Sequence, residues 1–225
     1  MLSKALAMMM VLLSLSQGTL MDFEDQMSLG GTLFLVNREY MITADYVPED
    51  LVLPNVKRIN TSTMMRREAA EALEKLFRAA EEEEHYTLVA VSGYRSYQTQ
   101  RNIYKRRIKN AGQKKADKFV ALPGASEHQL GLAMDVGRRT NHKLKAAFGN
   151  TPEGKWLAQN CYRFGFILRY KAEWEEITGY GYEPWHIRYV GLEHALRIQE
   201  LDIPFEEYVA LLRAAQQTAG QGDGT

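Results

Sequence analysis

Ser126-Glu127-His128-Gln129-Leu130-Gly131-Leu132-Ala133-Met134-Asp135 runs from a polar, histidine-bearing loop through Gly131 into an apolar strand that carries a carboxylate. Glu183-Pro184-Trp185-His186 leads into a second strand pattern, Trp185 to Val190. His128, Asp135 and His186 form a three-ligand set of the kind that holds a catalytic zinc and leaves one position open. With the strand patterns that carry Asp135 and His186 and the helix patterns around them, they predict an α+β domain. Its small, mainly antiparallel sheet is flanked by helices, and the zinc cleft lies on the sheet.

Glu183, three residues before His186, is the candidate to take a proton from water at such a site. The two differ by an odd number, so a regular strand would aim them at opposite faces. A bend at Pro184 would bring both into one cleft. Taken singly, each residue has a plainer explanation: a loop histidine, a strand-end aspartate, a satisfied strand histidine, a solvated turn carboxylate. Only their ordered context selects the metal reading.

Around these stretches the pattern alternates helix and strand. Thr61 to Glu84 carries Met65, Ala69, Leu73, Leu76, Phe77 and Ala80 at helical spacing, with Thr61 or Ser62 as its expected cap. Tyr86 to Val91 reads as a buried strand running into Ser92-Gly93-Tyr94-Arg95. A helix is expected from Tyr97 to Ala111 after Ser96, and another from Thr151 to Phe164, with Thr151 as cap and Gly165 as stop. Thr32 to Val36, Gly131 to Val136 and Phe166 to Tyr170 are further strand candidates. Residues 191–200 and 204–215 read as closing helices.

The chain has 225 residues, 45% hydrophobic and 25% charged, enough for one sizeable domain. Lys plus Arg equals Asp plus Glu at 28 each, so no global basic field argues for nucleic acid. Lys105, Arg106, Arg107, Lys109, Lys114, Lys115 and Lys118 make one locally basic stretch, read as a solvated helix face. The single Cys161 excludes an internal disulfide and reads as a buried, inert thiol.

Residues 1–18 read as a signal or anchor segment, with Lys4 before the apolar run Ala5 to Leu13. The run is short for a membrane span. Residues 19–60 are expected to wrap the domain in extended form, 61–215 to form the zinc domain, and 216–225 to be a disordered tail. The protein is thus expected outside the cytoplasm, secreted or anchored at the membrane by its N-terminal segment.

Three blocks resemble the VanY-type D-alanyl-D-alanine carboxypeptidases, a group that includes L,D-carboxypeptidases of peptidoglycan. They are Ser92 to Gln100, Ser126 to Asp135 with its Ser-x-His and Gly-x-Ala-x-Asp pattern, and Tyr182 to Gly191. Phe164 to Tyr170 is similar as well. The resemblance implies zinc held by His128, Asp135 and His186, with Glu183 as general base and acid. It implies that Arg95 stabilises the scissile carbonyl or holds substrate, and that Gln100, Ser126 and Tyr170 contact the peptide end. The implied partner is a peptidoglycan stem peptide losing its C-terminal D-alanine, and the protein is expected to act as a monomer. L,D-carboxypeptidase or endopeptidase action on the same scaffold, or a non-catalytic wall-binding module, are the alternatives.

Overall fold

The computed structural model describes residues 25–222, so the signal or anchor segment lies outside the described residues. A short antiparallel pair, β1 (Leu51–Val52) and β2 (Met65–Arg66), precedes helix α1 (Arg67–Glu84). Strand β3 (Leu88–Ser92) follows, then α2 (Tyr97–Ala111), α3 (Gln113–Phe119) and β4 (Ala133–Arg138). Next come α4 (Pro152–Asn160), β5 (Phe166–Leu168), α5 (Glu175–Thr178) and β6 (His186–Tyr189). Helices α6 (Leu192–Leu201) and α7 (Phe205–Gly222) close the chain.

The main sheet has the order β3-β4-β6-β5, every pair antiparallel. The two-residue period sorts its side chains. Met134, Val136 and Ile187 point to one face and join the core beneath α1, where Ala69, Ala70, Leu73, Leu76 and Ala80 are buried. Asp135 and His186 are directly opposed across β4 and β6, on the other face. A bulge between Ala90 and Ser92 then brings Ser92 opposite Asp135. The extra residue re-aims the strand end toward the cleft. A second cluster joins Leu33 and Leu35 to Ile167, Ile198, Phe205 and Val209.

Two of the three expected helix caps form, while Thr61 and Ser62 cap nothing because α1 starts later, after Arg66. Ser96 Oγ accepts from the Thr99 N–H at 3.3 Å, and Thr151 Oγ1 from the Gly154 N–H at 3.1 Å. Gly165, at φ +81°, ends the short 3-10 turn that extends α4. Cys161 is buried, which pushes its thiol up to about 12 and keeps it inert.

Two expectations need correction. Helix α1 begins at Arg67, not Thr61, because Met65 and Arg66 pair with β1 instead. Thr32 to Val36 forms no strand. The carbonyls of Thr32 and Phe34 accept from Arg188 Nη2 at 2.9 and 3.0 Å, so a guanidinium takes the place of a neighbouring strand. Residues 113–119, part of the basic stretch read as a solvated helix face, form α3. Helix α7 runs through Gln216 to Gly222. Among the described residues no helix is long and apolar enough to cross a membrane.

Candidate active site

Three local devices deliver the site residues. Gly93 lies so close to the segment before β2 that a Cβ there would meet the Met64 carbonyl at 2.4 Å. Its own carbonyl faces His128 Nδ1 at 2.8 Å. The Arg95 N–H donates to the His128 carbonyl at 3.1 Å, tying the turn after β3 to the 3-10 turn Glu127–Leu130. A turn closes over Pro184: the His186 N–H donates to the Glu183 carbonyl at 3.1 Å, and the Glu183 N–H to the Tyr170 carbonyl at 3.0 Å. That is the bend the odd spacing required.

His128, Asp135 and His186 converge, each 4% exposed, with one possible ligand atom apiece all within 4.8 Å of one another. His128 Nε2 is 3.4 Å from Asp135 Oδ2, and His186 Nδ1 is 3.1 Å from Asp135 Oδ1. Ligand atoms at about 2.0–2.2 Å from a tetrahedral ion stand about 3.3 Å apart, so the cluster is the right size for zinc. The donor chemistry agrees. A carbonyl can only accept, so His128 Nδ1 carries hydrogen and its Nε2 lone pair faces Asp135. His186 Nε2 lies 3.2 Å from Glu127 Oε2, so with hydrogen held there Nδ1, facing Asp135, is the nitrogen that would ligate a metal.

The electrostatics favour a cation here. Burial and nearby Arg95 hold His128 below its ordinary value, in the neutral form that ligates metals. Burial opposes ionisation of Asp135, yet His128 and His186 hold its carboxyl well below the usual range. Burial also opposes charge on His186, but its bonds to Asp135 and Glu127 push it up to about 9. Glu183 behaves differently. Burial, helped by Asp135 and opposed by His186 and Arg95, pushes its carboxyl up to about 8. A carboxyl poised near neutral pH suits proton transfer in both directions.

All eight candidate site residues line one cavity of about 480 Å³: Arg95, Gln100, Ser126, His128, Asp135, Tyr170, Glu183 and His186. Arg95 is fixed by Nη1 to Gln100 Oε1 at 2.7 Å and Nη2 to Ser92 Oγ at 3.0 Å, with Asp135 Oδ2 3.7 Å away. Fully buried Gln100 donates in turn to the Ala121 carbonyl at 2.6 Å. The Tyr170 ring stacks between Tyr180 and His186 at centroid distances of 5.1 and 5.0 Å. Tyr180 lines the cavity, whereas Trp174 is packed in the interior. His194 is committed to Tyr208, its Nδ1 2.8 Å from the hydroxyl.

The residue that sequence reasoning passed over is Glu127. Its side chain is fully buried, and Oε1 accepts from Arg169 Nε at 2.8 Å and Arg188 Nη1 at 3.1 Å. Burial alone would favour its neutral form, but Arg169, Arg188 and His186 keep it ionised. Part of this was legible, since Arg188 is two residues past His186 and therefore on the same strand face. We expect a His128→Ala, His186→Ala double variant to lose zinc, read by elemental analysis of the purified chain. Wild-type zinc content in that variant would remove the site.

Comparisons with known proteins place the chain beside carboxypeptidases. A family model described as VanY: D-alanyl-D-alanine carboxypeptidase matches residues 62–192. A putative carboxypeptidase, YodJ, of Bacillus subtilis is 48% identical over 181 residues, 78% of this chain. The match takes in 66% of YodJ, so the chain spans about two thirds of that relative's length. The solved structure of an LD-carboxypeptidase, LdcB, superposes with TM-score 0.73 at 48% identity, covering 78% of this chain and 84% of that one. A VanY variant solved with Zn(II) gives 0.65 at 35% identity, covering 79% and 98%.

Proposed function

The chain belongs to the VanY family of D-alanyl-D-alanine carboxypeptidases, and on that premise we propose that it hydrolyses the C-terminal D-alanine from peptidoglycan stem peptides. The observation that carries the reading is the juxtaposition, in one cavity, of the His128–Asp135–His186 cluster, Glu183 and Arg95. His128 Nε2, Asp135 and His186 Nδ1 would hold zinc, which when bound supplies Lewis acidity and a water acidic enough to attack at neutral pH.

The chain's own groups supply the rest. Glu183 takes the proton of the attacking water and hands it to the leaving amine of D-alanine. Arg95, braced by Gln100 and Ser92, meets the negative charge that develops on the scissile carbonyl oxygen. Because its position is set before substrate arrives, little reorganisation opposes the reaction. Ser126 and Tyr170, buried at the cavity wall, hold the terminal residue. Glu127 and the Gly93 carbonyl orient the two imidazoles from behind. The protein acts outside the membrane in this reading, where stem peptides are found. The leader pattern at Ala5 to Leu13 supports that location.

The test is a release assay with the zinc-loaded chain on pentapeptide, tetrapeptide and cross-linked muropeptides. D-Alanine is expected from the pentapeptide. Release from the tetrapeptide alone would move the assignment to L,D cleavage, and no release from any substrate would overturn it.

A further inference from the structure

Helix α2 turns toward the cavity one cation, Arg107, that the proposed chemistry does not use. Gln100, Ile103 and Arg107 stand at successive spacings of three and four, so they share a helix face, and all three line the cavity. Gln100 marks the catalytic end through its bond to Arg95. Arg107 lies seven residues farther, about 10 Å along the axis at 1.5 Å per residue. Lys105, Arg106 and Lys109 of the same basic stretch are exposed, as a solvated face requires. Arg107 is half-buried instead. Its Nε is shielded from solvent without a hydrogen-bond partner among the described residues, and α2 itself contains no carboxylate. A shielded guanidinium donor without an acceptor is costly, and its planar fork suits a carboxylate.

We propose that Arg107 selects substrates bearing a second carboxylate, on the third residue from the peptide's C-terminus. The inference rests on the carboxypeptidase reading. Distance decides which carboxylate is meant. A carboxypeptidase leaves one residue beyond the scissile bond, and an extended residue spans about 3.3–3.6 Å. Long side chains on a helix lean back toward its N-terminus, which shortens the gap. Two helical turns nevertheless span nearly three extended residues, more than a terminal residue covers. Exposed Lys145 adds a second cation to the cavity lining.

The test compares two peptides ending in D-Ala-D-Ala that differ only at the third residue, which bears a free side-chain carboxylate or its amide. Binding is measured by calorimetry on the zinc-loaded full chain carrying Glu183→Gln, so no turnover is needed. The acid is expected to bind about tenfold more tightly than the amide. Arg107→Gln should bring that ratio to about one, Arg107→Lys should keep part of it, and Lys105→Gln on the exposed face should preserve it. Equal binding of acid and amide by the Arg107 protein would overturn the proposal. So would a preference that survives Arg107→Gln, or an Arg107→Gln effect confined to the peptide's terminal carboxylate. Loss of hydrolysis by the wild-type chain would sink the catalytic reading while leaving this binding ratio intact.

Discussion

Glu183→Gln should lower D-alanine release by roughly 10²- to 10⁴-fold, the range expected for loss of a positioned general acid–base. The substitution keeps shape. It also keeps the backbone bonds that close the turn, from the Glu183 N–H to Tyr170 and from the His186 N–H to the Glu183 carbonyl. Glutamine cannot accept and return a proton, so the chemical step is affected rather than the site's assembly. Because Glu183 lies outside the three-ligand cluster, zinc content should match wild type. A Glu183→Gln enzyme with more than a tenth of wild-type kcat would remove the assigned role.

Glu127→Gln should have the largest effect on stability. Two oxygens receive three donors there, Arg169 Nε and Arg188 Nη1 on one and His186 Nε2 on the other. All four side chains are 5% exposed or less. Arg169 retains Glu206, whose Oε2 accepts from Nη1 at 2.9 Å, but Arg188 is left with backbone carbonyls alone. Breaking a buried pair by neutralising one partner costs about 3–5 kcal/mol, because the remaining charge is left uncompensated. The amide has one acceptor and one donor end. If its NH2 faces His186, the imidazole must turn Nε2 into an acceptor and place hydrogen on Nδ1, the nitrogen that faces Asp135. Zinc affinity should therefore fall about 10- to 100-fold, as is usual when a partner behind a metal-ligating histidine is lost. Denaturant titration of the metal-free chain and competition with a zinc chelator read the two effects separately. Unchanged values in both would show that the buried carboxylate is dispensable.

The contrast between these residues shows where the sequence was legible. Glu183 was visible because its chemistry is announced by a neighbour three residues away and a proline that bends the chain. Ser96 and Thr151 were visible as caps for the same reason, since each bonds an amide three residues on. The helix start at Arg67 was not visible. Met65 and Arg66 suit a helix by composition, and only pairing with Leu51 and Val52 draws them into a strand. Thr32 to Val36 failed in the opposite direction, having strand composition but no strand beside it. Its carbonyls are taken by Arg188, 156 and 154 residues along the chain.

Residue type and short-range spacing determined by themselves that this chain carries two histidines, an aspartate and a glutamate able to make a zinc hydrolase site, on strands of an antiparallel sheet and the turns that lead into them. Those signals act within a few residues, through strand period, turn and cap. Tertiary structure alone decided that Asp135 and His186 are opposed across β4 and β6, and that a bulge turns Ser92 toward them. It alone also decided that Glu127 stands behind His186 between two buried arginines. Such contacts join segments tens of residues apart, and ion pairing in a water-excluded interior depends on where the fold places each charge rather than on its sequence neighbours.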